Sequence, residues 1–124
     1  IARGDRSAAT AMAAGPDTLG LSILEAATMI AEGAKRVLVT YTDDLVPSLY
    51  RALVSEVGTH PFAISLLLTP AAETSLRCRL GRHAVSSAPE QSPEAALIRF
   101  LVEEVSQVEL GVNQIWRLER EHVE

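Results

Sequence analysis

Cys78 is the only thiol in the 124 residues, so neither an internal disulfide nor a cysteine-cluster metal site can form. The chain alternates around it: Leu76, Cys78 and Leu80 share one side, and Ser75, Arg77 and Arg79 the other. This predicts a half-exposed strand with Cys78 as a buried structural cysteine rather than a reactive thiol. Arg77 and Arg79 could hold a phosphate or a partner's carboxylates, but a solvated strand face is the favoured reading. His60, His83 and His122 lie far apart without metal-ligand spacing, and each reads as a surface histidine. Asp43-Asp44 follows an apolar run, where α/β proteins often bind ligands. The pair could also cap a helix opening near Pro47, and the cap is the favoured reading. Gly4, Gly15, Gly20 and Gly33 are too scattered to cradle a phosphate.

The more informative place is residues 10–18. Residues 7–14 are nearly all small, which predicts a buried strand, and Gly15-Pro16-Asp17 reads as a tight turn into a helix. Such a turn presents a side chain at a helix N-terminus, where the dipole and free N–H groups stabilise an anionic nucleophile or an oxyanion. An elbow of this kind carries Cys or Ser at its tip. Here the tip falls among Met12, Ala13, Ala14 and Gly15, none of which is a nucleophile. The patterning leaves two readings open: a degenerate nucleophile elbow, or a packed crossover with no chemistry.

The elements that must position this turn follow from periodicity. Residues 18–32 predict a helix stopped by Gly33. It is apolar around most of its circumference, with charge only at Glu25 and Glu32, as expected of a helix buried between layers or against a partner. Val37, Leu38 and Val39 predict a parallel strand over residues 36–41, covered on both faces. A short helix over 47–53 and a second apolar strand over 62–68 follow. The alternating strand is read at 74–80 and a polar loop at 81–93. Ser92 as N-cap and Pro93 at the first position open a helix reaching 107. A last strand spans 108–118, and the charged tail after it is expected to fray. The class is α/β in one domain, with a mixed sheet, a parallel beginning and a hairpin-like addition.

Composition narrows the function classes. Hydrophobic residues make up 48% and charged residues 22%, which excludes a disordered chain. A net charge of −5 argues against a polyanion partner, and 4% aromatic residues argue against a stacking platform for nucleic acid. No apolar run approaches the roughly 20 residues that span a bilayer. A cytoplasmic protein is expected, with no metal and no cofactor. Because the chain starts at Ile1, it is expected to be the C-terminal portion of a longer one.

Several segments together resemble a family. The run Ile1-Ala2-Arg3-Gly4-Asp5-Arg6-Ser7-Ala8-Ala9-Thr10, then Ala13-Ala14-Gly15-Pro16-Asp17-Thr18-Leu19, then Leu24-Glu25-Ala26, is similar to β-ketoacyl synthase-like proteins of the chain-length-factor type, which belong to aryl-polyene and related type II fatty-acid-like pathways. Thr42-Asp43-Asp44-Leu45-Val46-Pro47 with Tyr50, Pro61-Phe62-Ala63-Ile64-Ser65-Leu66-Leu67-Leu68, and the closing Trp116 and Arg117 add to the likeness.

The resemblance implies a thiolase-like fold, part of an αβαβα sandwich, with the helix over 18–32 at its centre and the segment 7–14 near a subunit interface. In active members the elbow carries an acyl-accepting cysteine, and two histidines support decarboxylative condensation. The elbow here lacks that cysteine, and no histidine pair in a suitable context appears. The resemblance therefore implies a non-catalytic subunit that pairs with an active ketoacyl synthase and reaches acyl carrier protein through it. Met12, Ala13, Ala14 and Gly15 would mark the degenerate elbow and line the acyl tunnel. Two alternatives remain open: a thioester-processing enzyme using Cys78 or Ser7, and a structural fragment that depends on a missing upstream segment.

Overall fold

The computed structural model describes residue 4 and residues 6–53, 60–71, 76–83, 91–113 and 115–121. Its longest helix, α1 (Thr18–Ala31), follows a 3₁₀ turn at Gly15–Asp17. Strand β1 (Val37–Asp43) comes next, then a 3₁₀ segment at Ser48–Leu53, β2 (Phe62–Leu68) and β3 (Cys78–His83). Helix α2 (Pro93–Val102), β4 (Gln107–Leu110) and β5 (Ile115–Arg120) close the order.

Local signals account for the helix ends. Gly33 takes φ +109°, a left-handed backbone that ends the first helix without steric cost. At α2, the Ser92 hydroxyl accepts the Ala95 N–H at 3.2 Å and Pro93 fills the first turn, as the sequence predicts. This helix stops at Val102, short of the predicted residue 107. Glu104 turns left-handed at φ 56°, and the Arg120 guanidinium donates to the Phe100 carbonyl, which the helix end leaves without an intrahelical partner, and to the Val105 carbonyl in the segment that follows.

Both sheets are antiparallel. β1 pairs with β2 in one, and the other has the order β3-β5-β4. The predicted parallel, doubly covered strand at 36–41 is therefore corrected. In the β1–β2 register Val39 faces Leu66 and Tyr41 faces Ile64 on the core side, while Leu38 and Leu67 pair on the other. These two leucines are 66% and 61% exposed, so only alternate side chains of the apolar run are covered.

The predicted last strand, 108–118, is two strands of a hairpin. Gly111 adopts φ +109° between them and reverses the chain, placing Val108 opposite Leu118 and Leu110 opposite Trp116. β3 begins later than expected and continues through Gly81, Arg82 and His83, because β5 supplies pairing partners as far as Ile115. The predicted residues 74 and 75 of that strand lie outside the described residues.

The segment 7–14 is not a buried strand. Ser7 to Ala13 are exposed, and among the described residues the segment joins neither sheet. Small side chains permit close approach but do not supply the ladder that defines a strand.

The core lies between the two sheets. Leu19 and Ile23 of α1, Ala96, Leu97 and Phe100 of α2, and Val108, Leu110 and Leu118 of the second sheet form one buried cluster. Tyr41, Ile64, Leu66 and Leu68 of the first sheet pack against it. Gly20 brings α1 close to β5: a Cβ there would lie 2.9 Å from Trp116 Cδ1. Helix α1 buries Leu19, Gly20, Ile23 and Ala26 and covers Leu21, Leu24 and Ile30 only in part, while Glu25, Thr28 and Ala31 are exposed, so it is not buried all round as its apolar composition predicts.

Candidate functional site: the elbow and its groove

The turn into α1 is built from backbone and one hydroxyl. Gly15 sits at φ +57°, a conformation that strains any residue with a Cβ. The Thr18 hydroxyl donates to the Gly15 carbonyl at 2.7 Å and accepts the Ala14 N–H at 2.9 Å. Asp17 N–H donates to the Ala14 carbonyl at 3.3 Å. Together these bonds close the turn on the first residue of α1.

Asp17 fixes the turn to the rest of the fold. It is 6% exposed, and its Oδ1 accepts the N–H groups of Val112 (2.7 Å) and Asn113 (3.1 Å) in the turn between β4 and β5. Sequence reading gave Asp17 only a place in the turn. Its partners lie 95 and 96 residues away, so no local pattern could have revealed them.

Met12 lines a groove of about 440 Å³. One wall is residues 8–12, another the Ser22, Ala26 and Met29 side of α1, and the third is β1. The Ser22 hydroxyl donates to the Thr18 carbonyl at 2.7 Å and lies 3.9 Å from Met12 Sδ. Both methionines of the chain line this groove. The lining is mixed, with Thr10, Thr18, Ser22, Glu25 and Thr40 beside the two thioethers. Of the four elbow residues, Met12 lines the groove; Ala13, Ala14 and Gly15 carry the chain from it to the helix. No atom of these four side chains can form an acyl ester or thioester.

The other candidates do not converge on this site. Cys78 was expected to be buried, but it is exposed: it begins β3 opposite Arg120, the last residue of β5, so it lies at the end of the sheet and not over the core. Although the residue as a whole is exposed, surrounding protein atoms desolvate the thiol and push its pKa above the usual value. Arg120 pulls it down and Glu121 pushes it up again. Arg79 pairs with Glu121 at 2.9 Å, and Arg77 donates to the Ala71 carbonyl at 3.2 Å.

Asp44 accepts the N–H of its own neighbour Leu45 at 2.7 Å, and Asp43 ends β1 opposite Phe62. The 3₁₀ segment is instead opened by the Tyr50 N–H to Pro47 carbonyl bond, so the expected cap is not formed. His60 is exposed, and His83, expected in a loop, is half-buried on β3. His122 lies outside the described residues. Ser7 is exposed. Among the described residues, no three His, Cys, Asp or Glu side chains cluster to hold a metal ion. No helix there is long and apolar enough to cross a membrane.

A layered α/β fold with a central helix opening on a tight turn is the frame the sequence resemblance implied. The chain belongs to the family of the β-ketoacyl synthase N-terminal domain, whose profile matches residues 1–117. Among solved structures it is similar to a chain of the ketosynthase ApeO in complex with its chain length factor ApeC from Xenorhabdus doucetiae, with a TM-score of 0.67 and 23% identity. The match covers 86% of this chain and 44% of that one, so this chain spans under half the length of its structural relative. No curated protein sequence matches it. The shared feature is the thiolase-like ketosynthase fold.

Proposed function

We propose that the chain acts as a non-catalytic, chain-length-factor-type subunit, pairing in the cytoplasm with an active β-ketoacyl synthase of a fatty-acid- or polyene-type pathway. The observation that carries this reading is the elbow. Met12, Ala13 and Ala14 lead into the turn that Gly15 opens before α1; we read these four residues as standing where a condensing enzyme would carry its acyl-accepting nucleophile, and Met12 lines the groove. A thioether has no proton to lose and forms no stable acyl adduct, so condensation would be carried by the partner. Acyl carrier protein would then be engaged through that partner, while the groove beside Met12 would border the growing chain.

Intact-mass analysis of the purified pair after incubation with an acyl-carrier thioester tests the division of labour. The expected result is acyl mass on the synthase alone. Acyl mass on this chain would overturn the reading, and its mapping to Cys78 or Ser7 would favour a thioester-processing enzyme instead.

A further inference from the structure

We propose that Asp17 is the positioning residue of the elbow, coupling the β4–β5 turn to the groove wall at Met12. The argument rests on three linked contacts. Oδ1 of Asp17 holds the Val112 and Asn113 N–H groups at 2.7 and 3.1 Å, from a side chain that is 6% exposed. The backbone of Asp17 holds the Ala14 carbonyl, and the adjacent Thr18 hydroxyl holds the Ala14 N–H. Ala14 is two residues from Met12, whose sulfur lies against Ser22 one helical turn past Thr18. A carboxylate accepting two backbone N–H groups away from water is a stronger tether than a neutral acceptor. Within the turn the Thr18 hydroxyl is the local tie, bonded to the Ala14 N–H and the Gly15 carbonyl. Asp17 is the tie that joins this turn to a hairpin turn from the other end of the chain.

The functional importance of this coupling rests on the groove reading above, but its test does not. Amide hydrogen exchange would be measured on the chain alone, together with the methyl resonances of its two methionines. Asp17→Asn keeps an oxygen acceptor but loses the charge. It is expected to speed exchange at Val112, Asn113 and Ala14 by on the order of tenfold, with β1 unchanged. Asp17→Ala is expected to go further, shifting and broadening the Met12 methyl while leaving Met29 in place. Faster exchange at Val112 and Asn113 without any change at Ala14 or Met12 would overturn the coupling. So would a uniform increase across β1 in the Asp17→Asn protein. Should Asp17→Ala fail to fold, the Asp17→Asn exchange pattern decides. A chain that shows the coupling yet forms no pair with a synthase would contradict the functional reading alone.

Discussion

Gly20 of α1 lies directly against the indole of Trp116 of β5: a Cβ at Gly20 would sit 2.9 Å from Trp116 Cδ1 and 3.7 Å from Leu110 Cβ. The first distance is shorter than carbon atoms tolerate, and the indole is held by the core around it. Gly20→Ala is therefore expected to destabilise the fold by about 1–3 kcal/mol through overpacking, despite the better helix propensity of alanine. Urea unfolding followed by the fluorescence of the single tryptophan measures this. An unchanged or higher midpoint would contradict the close packing.

Ser92 predicts a smaller effect of opposite origin. Its hydroxyl accepts the Ala95 N–H at the start of α2, the helix that carries Leu97 and Phe100 into the core. Ser92→Ala should cost about 1 kcal/mol, and Ser92→Asp should restore most of it. Thermal unfolding of the three proteins side by side checks the order.

Tyr41 sets an alkaline limit. Its hydroxyl donates to Glu94 Oε1 at 2.7 Å, tying β1 to the first turn of α2. Burial first, then the hydrogen bond and charge of Glu94, raise its pKa well above the ordinary phenol value of 10.0. A folded pKa above the unfolded one means that the folded state keeps the proton longer. The contribution to stability is complete below pH 10 and declines as the pH rises above it towards the folded pKa. Stability measured across that range should fall less steeply in Tyr41→Phe than in the parent chain. Equal slopes would show that the phenol does not matter.

Cys78 offers a chemical check on the alternative enzyme reading. Its thiol is exposed, but desolvation raises its pKa, so little thiolate is present at neutral pH. Reaction with a thiol-specific disulfide reagent should be slower than that of a free thiol at neutral pH and should accelerate as the pH rises. Rapid, pH-independent labelling would indicate an activated nucleophile.

What the sequence disclosed was local. The Gly33 stop, the Ser92-Pro93 start, the turn at Gly15-Pro16-Asp17 and the bounds of the strand at Phe62–Leu68 all depend on a few neighbouring residues, and the structure forms each of them. What it concealed was pairing. Val37 to Val39 read the same whether the neighbour is parallel or antiparallel, and only the β2 register shows that Leu38 faces outward. Cys78 alternates correctly with Leu80, but its burial depends on where β5 ends. The elbow residues were legible as a turn that lacks a nucleophile. The groove beside them was not, because it joins residues 8–12 to β1, across the length of α1.

The central claim is that this chain works as the non-catalytic half of a pair, and native mass spectrometry of the chain co-expressed with an active β-ketoacyl synthase of the same pathway tests it most directly. The account predicts a stable one-to-one complex that survives purification. Recovery of this chain only as a monomer or a homodimer, with the synthase folded and active beside it, would contradict the account.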